Sequence, residues 1–157
     1  MERSATQLDE IDRKILRALQ SDSQRPRSQI AQEVGLSQTP CLRRIKLLEE
    51  AGYIVGYQAK LSRKALGYGL LLFVRVTLDR QDESAIKTFA DRVTAIHEVL
   101  ECHLMAGSYD YLLRIIARDL DDYHRFQMDV LTPLRGVRNI QTEIPLKSLK
   151  DSAGIPI

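Results

Sequence analysis

The feature that most constrains the fold is a change in the spacing of apolar residues near residue 62. Apolar residues fall on one side of a helical period in 8–19, whereas 70–78 is an apolar run that alternates at its end. The first pattern is typical of amphipathic helices and the second of β-strands. The sequence therefore predicts two modules, residues 1–61 and 69–157, joined by a short basic linker at 62–68.

Length and composition exclude several classes of protein. A chain of 157 residues is too short for a catalytic barrel, and its 44% hydrophobic and 28% charged residues are typical of a soluble globular protein. No apolar run approaches the roughly 20 residues of a membrane helix, and residues 1–12 lack the apolar core of a secretory signal. Cys41 and Cys102 form neither a metal-ligand pair nor a disulfide framework. We therefore expect a cytoplasmic protein without membrane association.

The first module has the pattern of a helix-turn-helix. A helix that starts at a Ser28 N-cap ends at Gly35, and a further helix that starts at a Ser37 N-cap ends at Gly52. A turn this short, with a glycine in it, is typical of the helix-turn-helix motif, whose second helix is the recognition helix. Strand-forming residues at 53–59, interrupted by a glycine, suggest a small wing. The recognition helix is expected to bury Leu42, Ile45 and Leu48, with Cys41 as an inert thiol.

Basic residues are concentrated in this part of the chain. Residues 25–64 hold eight basic and three acidic residues, a net charge of +5, whereas residues 79–157 carry −3. This asymmetry suggests that the first module contacts a polyanion, which favours double-stranded DNA. The alternative is a three-helix bundle with a solvated basic surface and no DNA contact.

Several side chains are candidates for DNA contact because the first turns of a recognition helix enter the major groove. Gln38 has the amide that pairs with adenine, and Thr39 offers a hydroxyl or a methyl group, although both also suit a helix start. Of Arg43 and Arg44, one is expected to reach DNA, while the other is solvated or paired with an acidic neighbour. The predicted DNA-binding set is Arg27, Ser37, Gln38, Thr39, Arg43, Arg44 and Lys46.

The sequence of the second module predicts an α+β fold. Strands are predicted at 70–78, 99–105, 111–117 and 137–144, with helices capped by Asp82 and Asp119 between them. The order βαββαβ is that of a ferredoxin-like domain, an antiparallel sheet with both helices on one face. The predicted helix core residues are Ile86, Phe89, Val93, Ile96, Leu120, Tyr123, Met128 and Leu131. The apolar first strand would leave an exposed patch on the bare face of the sheet, which predicts at least a dimer.

Four segments, 8–16, 34–45, 48–54 and 107–113, resemble the Lrp/AsnC (leucine-responsive/asparagine-type feast-famine) transcription regulators. The resemblance implies a winged helix-turn-helix joined to a ferredoxin-like ligand-sensing domain. It also implies homodimers that often assemble into octamers, bind amino acids or related metabolites, and regulate genes of amino-acid metabolism or transport. The family commonly has proline at the position of Gln38, so this side chain is expected to alter base preference.

The resemblance also implies an effector site at Gly107, Tyr109 and Asp110. The Asp110 carboxylate would accept the ammonium group of an amino acid, and backbone amides near Gly107 would hold its carboxylate. Asp110 also suits a purely structural role in the turn.

No metal site, cofactor or catalytic constellation is expected, and we predict a regulator that is not an enzyme. Two alternatives remain open at this point. One is an amino-acid-binding regulatory subunit of an enzyme, and the other is a winged-helix protein-interaction module.

Overall fold

The computed structural model describes residues 8–150 and 154–157, which form two compact units. The first unit consists of residues 8–60 with Lys150 and 154–157, and the second of residues 61–149. The boundary between the two units falls between Lys60 and Leu61. The last residues of the chain, which the sequence placed in the second module, belong instead to the first unit.

Three helices build the first unit: α1 (Glu10–Ser21), α2 (Arg27–Glu33) and α3 (Gln38–Glu50). Helix α1 begins with a capping box, in which the Asp9 carboxylate accepts from the Asp12 amide and the Asp12 carboxylate accepts from the Asp9 amide. Gly35 adopts a φ of 73° between α2 and α3, which permits the short turn of a helix-turn-helix. The three helices surround one apolar core formed by Ile15, Leu16, Ala18, Leu19, Ile30, Ala31, Val34, Cys41, Ile45 and Leu48.

Three predictions for this unit are wrong in detail. Helix α2 starts two residues earlier than expected, with Pro26 rather than Ser28 at its N-cap, because the proline ring presets the backbone angle φ there. Leu42 is 43% exposed, since the buried stripe of α3 runs through Cys41, Ile45 and Leu48 at i, i+4 and i+7. Residues 53–59, all of which the structure describes, form no strand, and they pair with no strand among the described residues.

The second unit confirms the predicted βαββαβ order. Its elements are β1 (Leu70–Leu78), α4 (Glu83–Val93), β2 (Val99–Leu104), β3 (Tyr111–Ala117), α5 (Leu120–Phe126) and β4 (Val137–Glu143). The strands form an antiparallel sheet in the order β2-β3-β1-β4. Alternate residues of the two central strands are buried, including Leu72 and Val74 of β1 and Leu113 and Ile115 of β3. One face of the sheet is therefore covered, and the other is not.

The helices of this unit pack on the covered face. Asp82 and Asp119 accept capping hydrogen bonds from the amides of residues 85 and 122, as predicted. Phe89 and Val93 of α4, together with Tyr123 and Leu131, join the core. Two predicted core residues, Leu120 and Met128, are 59% and 52% exposed, and Ile96 lies beyond the end of α4. The helical period predicted after Asp119 is interrupted because α5 continues into a π-helical turn over Gln127–Leu131, which shifts the buried side.

Candidate DNA-binding and effector sites

The start of α3 presents exposed polar side chains. Ser37, Gln38 and Thr39 are all exposed, and their side chains bond to no described residue. Ser37 occupies the N-cap position, but its hydroxyl makes no capping bond to the described chain. The alternative role of these residues in capping is therefore not realised here, and their donors and acceptors are free for another molecule.

The two adjacent arginines of α3 have different surroundings. Arg44 Nη1 lies 2.6 Å from Asp9 Oδ2 and 2.8 Å from Asp12 Oδ1, and its side chain is only 32% exposed. These hydrogen bonds, the one to Asp12 first, raise the pKa of Arg44 above its ordinary value. Arg43 is exposed and has no ion pair among the described residues. Arg44 thus ties α3 to the start of α1, while Arg43 points a free cation into solvent.

The other predicted cations are partly engaged. The Arg27 guanidinium lies 5.3 Å from the centre of the Tyr57 ring, and the Tyr57 hydroxyl donates to Glu49 Oε1 at 2.7 Å. Burial, followed by the bond to Glu49, raises the pKa of Tyr57. Arg27 Nη1 is buried and has no hydrogen-bond partner among the described residues. Lys46 forms an exposed, loose pair with Glu50 at 3.8 Å, the type of contact that adds little stability.

Cys41 is inaccessible on the inner side of α3. Its side chain is fully buried, and burial raises the pKa of the thiol. Both features oppose formation of the reactive thiolate, in agreement with the predicted inert role.

Asp110 has a structural role in the turn between β2 and β3. It is only 8% exposed, its Oδ2 accepts from the Leu78 amide at 2.7 Å, and its Oδ1 accepts from Gln81 Nε2 at 2.8 Å. Its own amide donates to the Val76 carbonyl at 2.9 Å. These bonds fix the turn against the end of β1. Sequence reasoning did not single out Gln81, because nothing in its sequence neighbourhood indicates a partner so far along the chain.

The rest of this turn is open. No described atom lies within 4 Å of a Cβ added to Gly107, and the φ of Gly107 lies outside the left-handed region. Neither packing nor backbone conformation within the described chain therefore requires glycine at this position. Next to it, the Tyr109 ring lies 5.1 Å from the guanidinium carbon of Arg75, which also pairs with Glu143 at 2.9 Å.

The uncovered face of the sheet combines apolar residues with ion pairs. The residues of the central strands that alternate with the buried ones are half-buried, and they include Leu71, Phe73, Leu112 and Ile116. Towards one edge of the sheet, Arg114 pairs with Glu101 at 3.1 Å, and His103 lies 3.4 Å from the same carboxylate. Together these side chains form an apolar centre with a charged border.

Helix-turn-helix geometry in one unit and a ferredoxin-like sheet in the other define a DNA-binding regulator with a ligand-binding domain. A family model for the Lrp/AsnC ligand binding domain matches residues 71–155, and a model for winged helix-turn-helix DNA-binding domains matches residues 8–55. The chain belongs to the Lrp/AsnC family. It is accordingly a transcriptional regulator, as predicted, and not an enzyme.

Named relatives are similar over almost the whole chain. The leucine-responsive regulatory protein of Rhizobium meliloti (strain 1021) is 39% identical, over 96% of this chain and 97% of its own. The Bkd operon transcriptional regulator of Pseudomonas aeruginosa is 40% identical, over 96% and 99%. A transcriptional regulator of Neisseria meningitidis, solved as a complex with L-Met, is 37% identical with a TM-score of 0.90, over 95% and 96%.

The described part of the chain holds neither a membrane-spanning helix nor a metal-binding cluster. Among residues 8–150 and 154–157, no helix has the length and apolar character needed to cross a bilayer. The same residues contain no cluster of three or more His, Cys, Asp or Glu side chains placed to hold a metal ion.

Proposed function

We propose that this cytoplasmic protein controls genes of amino-acid metabolism or transport by binding double-stranded DNA through α3. The observation that supports this most directly is the free polar surface at the start of α3. There Gln38 and Thr39 can reach base edges, and Ser37 can reach a phosphate. The names of relatives point the same way, since one regulates the Bkd operon and another was crystallised with L-Met.

Within this proposal the two arginines of α3 have separate roles. Arg43, exposed and without an ion pair among the described residues, contacts DNA. Arg44, held by Asp9 and Asp12, positions α3 against α1 and does not neutralise a phosphate. Arg27 and Lys46 are secondary phosphate contacts, because each is already near an aromatic ring or a carboxylate.

The test compares single alanine variants at several salt concentrations on DNA from upstream of the protein's own gene. Arg43→Ala should weaken binding and reduce the slope of log affinity against log salt by about 1, because one phosphate contact is lost. Arg44→Ala should weaken binding with little change in slope, because it displaces α3 without removing a phosphate contact. Lys14→Ala, an exposed charge on α1, is the control. A wild-type slope and affinity in Arg43→Ala would refute the assignment.

We further propose a homodimer formed through the uncovered sheet face, with dimers assembling into an octamer. An amino-acid effector binds at the turn of Gly107, Tyr109 and Asp110, where it meets a neighbouring chain, and no other cofactor is needed. The open space beside Gly107 supports this proposal, because the described chain itself gives no reason for a glycine there. Effector binding must favour one arrangement of the assembly over another to alter DNA affinity.

The effector is tested by thermal unfolding in the presence of each proteinogenic amino acid, L-methionine included. A ligand at a hundredfold excess over its Kd stabilises the folded state by about 2.7 kcal/mol. Gly107→Val should leave the stability of the free protein nearly unchanged and abolish that shift. A full shift in Gly107→Val would place the effector elsewhere.

A further inference from the structure

The last residues of the chain lie against α1 of the first unit. We call residues 154–157 the tail. The Gln20 side chain forms two hydrogen bonds with the main chain of Ile155. Gln20 Nε2 donates to the Ile155 carbonyl at 2.8 Å, and the Ile155 amide donates to Gln20 Oε1 at 2.9 Å. One turn earlier, Arg17 Nε donates to the Ile157 oxygen at 2.8 Å. Two side chains of α1 thus recognise the tail through its backbone.

Gly154 lies in close contact with the Gln20 side chain. Its φ of 85° lies in the left-handed region, and a Cβ there would come within 2.5 Å of Gln20 Cδ and 2.6 Å of Gln20 Nε2. The other described glycines with left-handed φ, such as Gly35 and Gly136, would meet no described atom within 4 Å. The close approach of Gly154 therefore reflects a specific fit between the tail and Gln20.

The tail also contributes apolar contact. Ile157 is half-buried and packs on the core of the first unit. Together with Ile155 and Pro156 it lines a cavity of about 1000 Å³, whose other walls come from Leu8, α1, residues 22–24 and residues 53–60. Loss of the tail would remove one wall of this cavity and expose apolar surface of α1.

Helix α1 is held at both ends. Its C-terminal half binds the tail through Arg17 and Gln20, and its N-terminus binds α3 through the pairs of Asp9 and Asp12 with Arg44. In the chain, the tail comes after β4, the last strand of the second unit. The chain thus continues from the second unit into the tail, which is hydrogen-bonded to α1. Helix α1 in turn forms the ion pairs with α3.

We propose that the tail is a latch, and that its docking at Arg17 and Gln20 holds α1, and through α1 the recognition helix α3, in the DNA-binding position. Undocking of the tail lowers DNA affinity. The docking itself is independent of DNA, whereas its effect on affinity rests on the proposed function.

The test uses the full-length chain with two variants that release the tail by different means. Gly154→Val introduces the clash with Gln20. Gln20→Ala removes both hydrogen bonds to Ile155 and places a good helix former in α1. Lys14→Ala is the matched control on α1, because Lys14 is exposed and forms no hydrogen bond or ion pair with a described residue. Amide hydrogen exchange of Ile155 reports docking, and DNA affinity at several salt concentrations reports its effect.

In the wild type and in Lys14→Ala, the Ile155 amide should exchange at least about tenfold more slowly than in an unstructured peptide. Both release variants should lose this protection. Their DNA affinity should fall by about fivefold with an unchanged salt slope, because no phosphate contact is removed.

Three results would overturn the proposal. Exchange of Ile155 at the peptide rate in the wild type would show that the tail does not dock. Release without a change in DNA affinity would show that docking is passive. If the wild type binds no DNA at any salt concentration, the proposed function fails together with the latch, and the exchange data alone still show whether the tail docks.

Discussion

Asp110 is the residue at which a structural and a ligand-binding role are most easily confused. Asp110→Ala would leave the buried Leu78 amide unpaired and remove the bond to Gln81, so we expect the free energy of unfolding to fall by about 1–3 kcal/mol. Urea unfolding without ligand measures this loss. Gly107→Ala, in the same turn, should stay near the wild-type value, and a neutral result for Asp110→Ala would contradict the structural role.

The expected destabilisation limits how ligand-binding data on Asp110 can be interpreted. A lost response to an amino acid in Asp110→Ala would follow from a displaced turn as readily as from a lost ligand contact. Gly107→Val is more informative, because the described chain leaves room for the new side chain.

Residue roles were predictable only where they depend on local pattern. The sequence predicted that one of Arg43 and Arg44 reaches DNA and that the other is solvated or paired with an acid, but it did not indicate which, because the partners Asp9 and Asp12 lie at the start of another helix. The sequence did not predict the contact between Arg75 and Tyr109 for the same reason, since only strand pairing and a turn bring the two residues together.

At the scale of elements, the start of α1 depends on the charge of Asp9. The Asp12 amide first, and the Arg44 guanidinium second, hold the pKa of Asp9 below its ordinary value of 3.8. A carboxyl whose pKa is lower in the folded state stabilises the fold above its unfolded pKa, and this stabilisation disappears as the pH falls through the folded value.

Asp9→Asn should therefore be less stable than the wild type near neutral pH, with a difference that shrinks as the pH falls below 3.8 and vanishes once the pH lies below the pKa of Asp9 in the folded protein. Thermal unfolding across this range is the measurement. Arg44→Gln should show a similar trend, and the double variant should lose less stability than the sum of the two single losses, because both single variants remove the Asp9–Arg44 pair. A difference that stays constant with pH would exclude the charge of Asp9 as its cause.

Elements with a clear pattern of apolar residues were predicted well. Segments whose position depends on contacts to their main chain were not. β1 and β3 have the predicted bounds, because both are runs of strand-forming residues bounded by turn residues. The segment 53–59 has the composition of a strand but no ladder partner among the described residues. The tail has no apolar period, and Gln20 and Arg17 bind its backbone, which sequence patterns do not encode.

At the scale of the whole molecule, the uncovered sheet face leaves apolar side chains of a single chain in contact with water. Leu71, Phe73, Leu112 and Ile116 are only half-buried by their own chain, and a second copy would remove them from water and cover the apolar centre. The charged border formed by Arg114 and Glu101 would then lie at the rim, where ion pairs remain hydrated.

Leu112→Glu tests this arrangement. The new carboxylate would lie opposite Arg75 on β1, so the single chain should still fold, but burying the charge in a dimer interface would be costly. Sedimentation velocity should show the wild type as a dimer or larger assembly and Leu112→Glu as a single chain. Leu146→Glu, which alters a fully exposed leucine outside the sheet, should assemble like the wild type. Equal masses for all three proteins would show that the chains associate through another surface, and the apolar centre would then need a different explanation.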